Sequence, residues 1–284
     1  MKLQSPKLVL NVLTSHFLPE RVLKNRWLVL IIFITMLVSY TAYDTLALAQ
    51  QMGAPANAWD VVVGVLNNRL SIHHGLTNLL IYLVSDIALF GELDQLILLR
   101  IGYRWLWFQI QAICTITAVI IYMALIVVII FGVTVMTTPW SLAWSSAAMP
   151  IINQQGLPAE AFLTLPPLPT ALFMLTLLGV AWIGIGVVVT TITMATQKAI
   201  FGFMAGLVLN YSTLIIWQAD IRSPLLDKLW FHQRMFLWQN ELMTDPFNRL
   251  FIQSMLYWLV WIAISLTALW SVCRNINIIA KDSN

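Results

Sequence analysis

Apolar positions in this chain gather into long runs separated by short polar links. The longest run, residues 112–136, holds no ionisable group apart from Tyr122 and Cys114. A helix rises about 1.5 Å per residue, so about 20 apolar residues cross a hydrocarbon core of about 30 Å. Further runs of the same kind cover residues 27–47, 72–90, 169–194, 201–217 and 250–273. The pattern predicts an all-α membrane protein of six transmembrane helices, with residues 1–284 forming one membrane domain. A mixed loop through Gln50, Gly53, Pro55 and Asp60 separates the first two runs. The third ends at Thr137, Thr138, Pro139 and Trp140, where proline cannot continue the hydrogen-bond ladder.

Three amphipathic stretches are too polar to span. Residues 5–25 set Leu8, Val9, Val12, Leu13, Phe17, Val22 and Leu23 among Lys7, His16, Glu20, Arg21 and Lys24. That arrangement suits a helix lying in the membrane interface, with a polar tail as the alternative. Residues 91–107, between the second and third runs, carry Glu92 and Asp94 early and Arg100 and Arg104 late, an order that complements a helix dipole. Residues 220–249 mix Trp230, Phe231, Phe236 and Trp238 with charges of both signs. They read either as an interfacial anchor or as a short helix capping the exit of a pathway, a role that would put Trp230 and Trp238 beside a substrate.

Composition supports the membrane reading: 60% of residues are hydrophobic and 10% charged, against about 25% charged in soluble domains. The net charge of +3 becomes informative only when placed by loop. With six spans, one side holds Lys2, Lys7, Arg21, Lys24, Arg26, Arg100, Arg104, Lys198, Arg274 and Lys281, and the other only Arg69, Arg222, Lys228, Arg234 and Arg249. The inside-positive bias places both termini in the cytoplasm. The N-terminus lacks the small-residue cleavage site of a secretory leader, so the first span is expected to direct insertion. Cys114 and Cys273 lie within apolar runs and read as small buried residues rather than a disulfide or metal framework. No basic cluster interleaved with aromatics indicates nucleic acid.

The motifs for chemistry are mostly missing. There is no Gly-rich loop ending in Gly-Lys-Ser/Thr, so the chain has no P-loop of its own, and no Gly-x-Ser-x-Gly elbow. The adjacent His73 and His74 lack the one-face spacing of a zinc site, and no metal is expected. Asp86, inside the second run, reads either as a polar point on a transport path or as a structural acid bonded between helices. Asn210, with Tyr211 and Ser212, forms a polar spot in the fifth run that either lines such a path or bonds to a neighbouring helix. For an intramembrane enzyme only Asp86, His73, His74 and Asn210 are available, and their positions in the sequence put them on different faces and at different depths. Gly202 and Gly206 form a Gly-x-x-x-Gly face suited to close helix packing or to dimerisation.

Arg100-Ile101-Gly102-Tyr103-Arg104-Trp105-Leu106-Trp107 follows an apolar stretch directly. It is similar to the Arg-x-Gly-x-Arg-x-x-Trp stretch in the permease subunits of type-two ABC exporters associated with peptides or bacteriocins, although Tyr103 stands where that family usually has a small residue. The topology resembles the same family: an interfacial entry helix, six spans, a charged segment after the second span and an outer amphipathic segment before the last. The resemblance implies that residues 91–107 form a coupling helix, with Glu92, Asp94, Arg100, Arg104 and Trp107 engaging a cytoplasmic ABC ATPase subunit that binds ATP and Mg. The same segment also suits a plain interfacial helix anchored by Trp105 and Trp107. The resemblance further implies a second permease subunit, identical or related, in a bacterial cell membrane. The cargo would be a hydrophobic or amphipathic peptide, lipid or drug moved outward. The rival expectation is a non-transporting immunity or scaffold protein that binds a peptide or protein partner.

Overall fold

Glycine terminates the first long helix. The computed structural model describes residues 26–68, 71–89, 104–154, 163, 165–218, 235 and 247–275, and all regular structure among them is helical. Helix α1 (Arg26–Gln51) ends where Gly53 takes φ +66°, its N–H bonding Gln50 O while the Ala54 N–H reaches back to Ala49 O. This paired closure of the last carbonyls needs a left-handed residue, the conformation glycine adopts most cheaply.

Asn57 starts the next element. Its Oδ1 accepts from the Trp59 N–H at 2.9 Å and its own N–H donates to Asp60 Oδ2 at 2.7 Å, a reciprocal cap that opens α2 (Ala58–Asn67). Asn68 then closes α2, its N–H bonding Gly64 O, and opens the following turn, its Oδ1 accepting from Ser71 N–H. That turn is a π-helix (Ser71–Thr77), continued by α3 (Asn78–Val84). The remaining helices are α4 (Arg104–Thr137), α5 (Ala148–Gln154), α6 (Pro167–Thr196), α7 (Ala199–Gln218) and α8 (Phe247–Asn275).

Long-range bonds fix the direction of each. Ala58 N–H donates to Pro139 O, just past the end of α4, and Thr193 Oγ1 near the end of α6 donates to Ser85 O, just past α3. The unit from α2 to α3 therefore runs from one end of the bundle to the other, antiparallel to α1 and α4. Phe251 meets Phe173 near the start of α6, while Trp270 meets Trp105 at the start of α4. Helix α6 is central, packing on α4, α7 and α8 and also on α2 and α3.

Four helices are long and apolar enough to cross a membrane: α1, α4, α6 and the Phe251–Asn275 part of α8. Large apolar side chains such as Leu28, Ile32, Phe33 and Met36 on α1 and Leu256, Leu259, Val260 and Ile264 on α8 stay exposed. Faces of this extent suit lipid rather than water. The chain is a helical protein with the makeup of a multi-pass membrane protein.

The structure revises two expectations. The expected second span, 72–90, is preceded by α2, which occupies part of the mixed loop expected through Gln50, Gly53, Pro55 and Asp60. All ten residues of α2 are buried against other helices, so their apolar periodicity is masked. The charged segment and the third span also do not part at residue 107: α4 is continuous from Arg104, and Trp107 is buried within the bundle. The expected entry helix at 5–25, residues 91–103 with Glu92, Asp94 and Arg100, and Trp230 and Trp238 of the outer segment lie outside the described residues.

Candidate functional site

A π-helical turn widens the backbone ladder and leaves carbonyls open to side-chain donors, and such turns recur at functional sites. Here side chains from four helices donate to the turn. Tyr122 Oη of α4 donates to Leu76 O at 2.7 Å, and Trp182 Nε1 of α6 donates to Thr77 Oγ1 at 3.1 Å, the two rings lying 5.4 Å apart. From α7, Asn210 Nδ2 donates to His73 O at 2.8 Å. Asn78 Nδ2, on α3, donates to His74 O at 3.1 Å.

These donors join side chains into one network. His73 Nδ1 lies 2.7 Å from Asn210 Oδ1, and Asn210 Nδ2 also donates to Asn78 Oδ1 at 2.8 Å. Asn78 Nδ2 donates to Tyr211 Oη at 2.8 Å, and Tyr211 Oη lies 3.2 Å from His74 Nδ1. Asn210 and His73 are fully buried, whereas Tyr211 is half-buried and His74 exposed. At 1.5 Å per residue Asn210 sits about 16 Å along α7 from Ala199, near the middle of the bundle.

A search against protein-family models, curated proteins and solved structures found no match.

The structure brings His73, His74 and Asn210, three of the four residues expected on different faces and at different depths, into one network, with His73 buried and His74 exposed. It adds Asn78, which the sequence reading passed over. Its spacing of four from His74 was the available signal, since residues so spaced share a helix face. Asp86 lies elsewhere. Its Oδ2 is 3.0 Å from Arg26 Nη2 at the end of the bundle where α1 begins, and Arg26 Nη1 donates to Tyr82 O at 3.0 Å. Arg104 is exposed in the first turn of α4, and Trp107 one turn later is buried.

A second polar patch lies between α4 and α6. Thr115 Oγ1 is 2.9 Å from both Gln111 O and Thr190 Oγ1. Gly202 and Gly206 pack inward: a Cβ on Gly202 would fall on Thr193 Oγ1, and one on Gly206 would lie 2.6 Å from Ile81 Cγ2. Among the described residues no group of three or more His, Cys, Asp or Glu is placed to hold a metal ion. Cys114 and Cys273 are both buried and are not joined in a disulfide. The network offers hydrogen-bond donors and acceptors at mid-bundle.

Proposed function

We propose that this chain is the membrane-spanning permease subunit of an ATP-driven exporter of the type-two ABC class, working with a separate ATPase subunit that supplies ATP and Mg. In this reading the chain crosses the membrane six times. The four long apolar helices make four crossings, α7 a fifth, and α2, the π-helical turn and α3 together a discontinuous sixth. Both termini and residues 91–103 face the cytoplasm of a bacterial cell, in line with the Lys and Arg bias of the loops.

The observation that supports this reading best is how the chain is held on either side of residues 91–103. On one side the Arg26–Asp86 pair fastens the chain after α3 to the start of α1. On the other side the chain enters α4, a single helix of 34 residues whose first turns are packed by Trp105 against Trp270 of α8. Force on the cytoplasmic segment would reach both a continuous rod about 51 Å long and a crossing already broken at Asn68. A rigid lever beside a jointed element is what an alternating-access device needs. Glu92, Asp94, Arg100, Arg104 and Trp107 are the residues assigned to the ATPase contact. Asn210 lies on the path, with Trp230 and Trp238 at its outer mouth, and Asp86 braces its inner rim. A second permease subunit would complete the pathway for a hydrophobic or amphipathic cargo.

The test is gentle purification from the native membrane, identification of co-purifying proteins and assay of ATP hydrolysis. A stoichiometric partner carrying a P-loop is expected. Transport should fall in Glu92→Ala and Arg104→Ala while membrane insertion stays normal. A stable preparation free of any ATPase would overturn the reading in favour of an immunity or scaffold protein.

A further inference from the structure

The hydrogen bonds around the π-helical turn run in one direction, and two backbone carbonyls fix that direction. The Asn210 side-chain atom facing His73 O must be the amide nitrogen, because an oxygen there would oppose another oxygen. Its second hydrogen goes to Asn78 Oδ1, so Asn210 Oδ1 is left as acceptor and His73 Nδ1 must carry a proton. By the same logic the Asn78 atom facing His74 O is its nitrogen, whose other hydrogen goes to Tyr211 Oη.

Tyr211 Oη already accepts from Asn78, so its own proton is free to go to His74 Nδ1. The reverse tautomer would strand both the tyrosine proton and the His74 Nε2 lone pair. The inferred order points the tyrosine proton at His74 Nδ1 and leaves His74 with an N–H at Nε2. The relay passes from His73 through Asn210, Asn78 and Tyr211 to His74, each bond polarising the next. It ends on a histidine that is exposed at the bundle surface, near mid-depth.

We infer that the Nε2–H of His74 is a binding site for an uncharged carbonyl oxygen on a hydrophobic chain, such as an acyl or peptide carbonyl. A donor facing hydrocarbon needs an acceptor, and anions are excluded there because taking a charge to that depth is far more costly than taking a neutral carbonyl. An imidazole whose Nδ1 accepts from Tyr211 presents a donor at Nε2, which selects for an acceptor and against a donor. The inference rests on the permease reading only in assigning that carbonyl to the transported molecule.

The experiment uses the full chain in nanodiscs of diether lipid, which have no ester carbonyl, and follows the ring nitrogens of labelled histidines by NMR. The probe is the ketone pentadecanone and the control is pentadecane, which differs from it only in lacking the carbonyl. The expected result is an Nδ1–H tautomer for His73 and an Nε2–H tautomer for His74, with the His74 Nε2 signal moved by the ketone and not by the alkane. Tyr211→Phe should weaken the ketone response about fivefold while leaving the His73 tautomer unchanged. An Nδ1–H tautomer at His74, or equal responses to ketone and alkane, overturns the inference. A shift already complete in diester lipid would assign the site to a lipid ester and overturn its assignment to a passenger. No ATPase enters this measurement, so its failure and the failure of the permease reading are separable.

Discussion

Arg26 Nη2 lies 3.0 Å from Asp86 Oδ2, joining the first turn of α1 to the chain just past α3. The guanidinium also sits 4.7 Å from the Tyr82 ring centroid and donates to Tyr82 O. The Asp86 side chain is 8% exposed and that of Arg26 30%. The carboxylate is therefore the member that suffers when the pair is broken. Arg26→Ala should destabilise the protein by about 2 kcal/mol because it removes the cationic partner of a buried carboxylate, and Arg26→Ala with Asp86→Ala should recover part of that loss. Thermal melts of both single variants and the double variant in detergent provide the check. A double variant less stable than Arg26→Ala would count against the clamp.

Asn210 satisfies His73 O, Asn78 Oδ1 and His73 Nδ1 from one side chain. Asn210→Leu removes all three partners at once. It should cost about 2 kcal/mol, more than the ordinary worth of an interhelical bond in a membrane, because buried groups are left unsatisfied. The same thermal measurement tests it, with Ser212→Ala on the same helix as a control expected to change little.

Gln111 is fully buried, and neither its Nε2 nor its Oε1 has a hydrogen-bond partner among the described residues. Replacing an unsatisfied buried amide with a side chain of similar size removes that penalty. Gln111→Leu should stabilise the resting structure by about 1 kcal/mol. A lower melting temperature in this variant would show that the amide is satisfied in the membrane.

Gly202 and Gly206 bring α7 onto α6 and α3. Gly202→Ala places a methyl group on Thr193 Oγ1, the donor to Ser85 O, and should destabilise by about 1–3 kcal/mol through overpacking. Gly132, with open space where its Cβ would lie, is the matched control. Gly132→Ala should leave stability unchanged or slightly raised, since alanine favours helix. Equal losses in both variants would remove the packing role from Gly202.

Much of the helix layout was legible in the sequence because lipid demands uninterrupted apolar length. The expected runs 27–47, 169–194, 201–217 and 250–273 fall within α1, α6, α7 and α8. The link between α6 and α7 was also legible, where Gln197 takes a left-handed turn and bonds Met194 O. Hydropathy failed where burial is protein against protein. Helix α2 is buried on every side, and only its Asn57 to Asp60 cap spacing marked it as a helix.

The sequence by itself determined that the chain is helical and built for a membrane, because length and apolar content follow from the spacing of residues along one strand of chain. It also marked Asn210, Tyr211, His73 and His74 as polar residues in apolar surroundings. Only the tertiary structure decided that they form one hydrogen-bonded network with Asn78, and that Asp86 belongs to a separate clamp with Arg26. Side chains 137 positions apart, such as His73 and Asn210, meet only when separate helices pack, and no local pattern records which faces will touch.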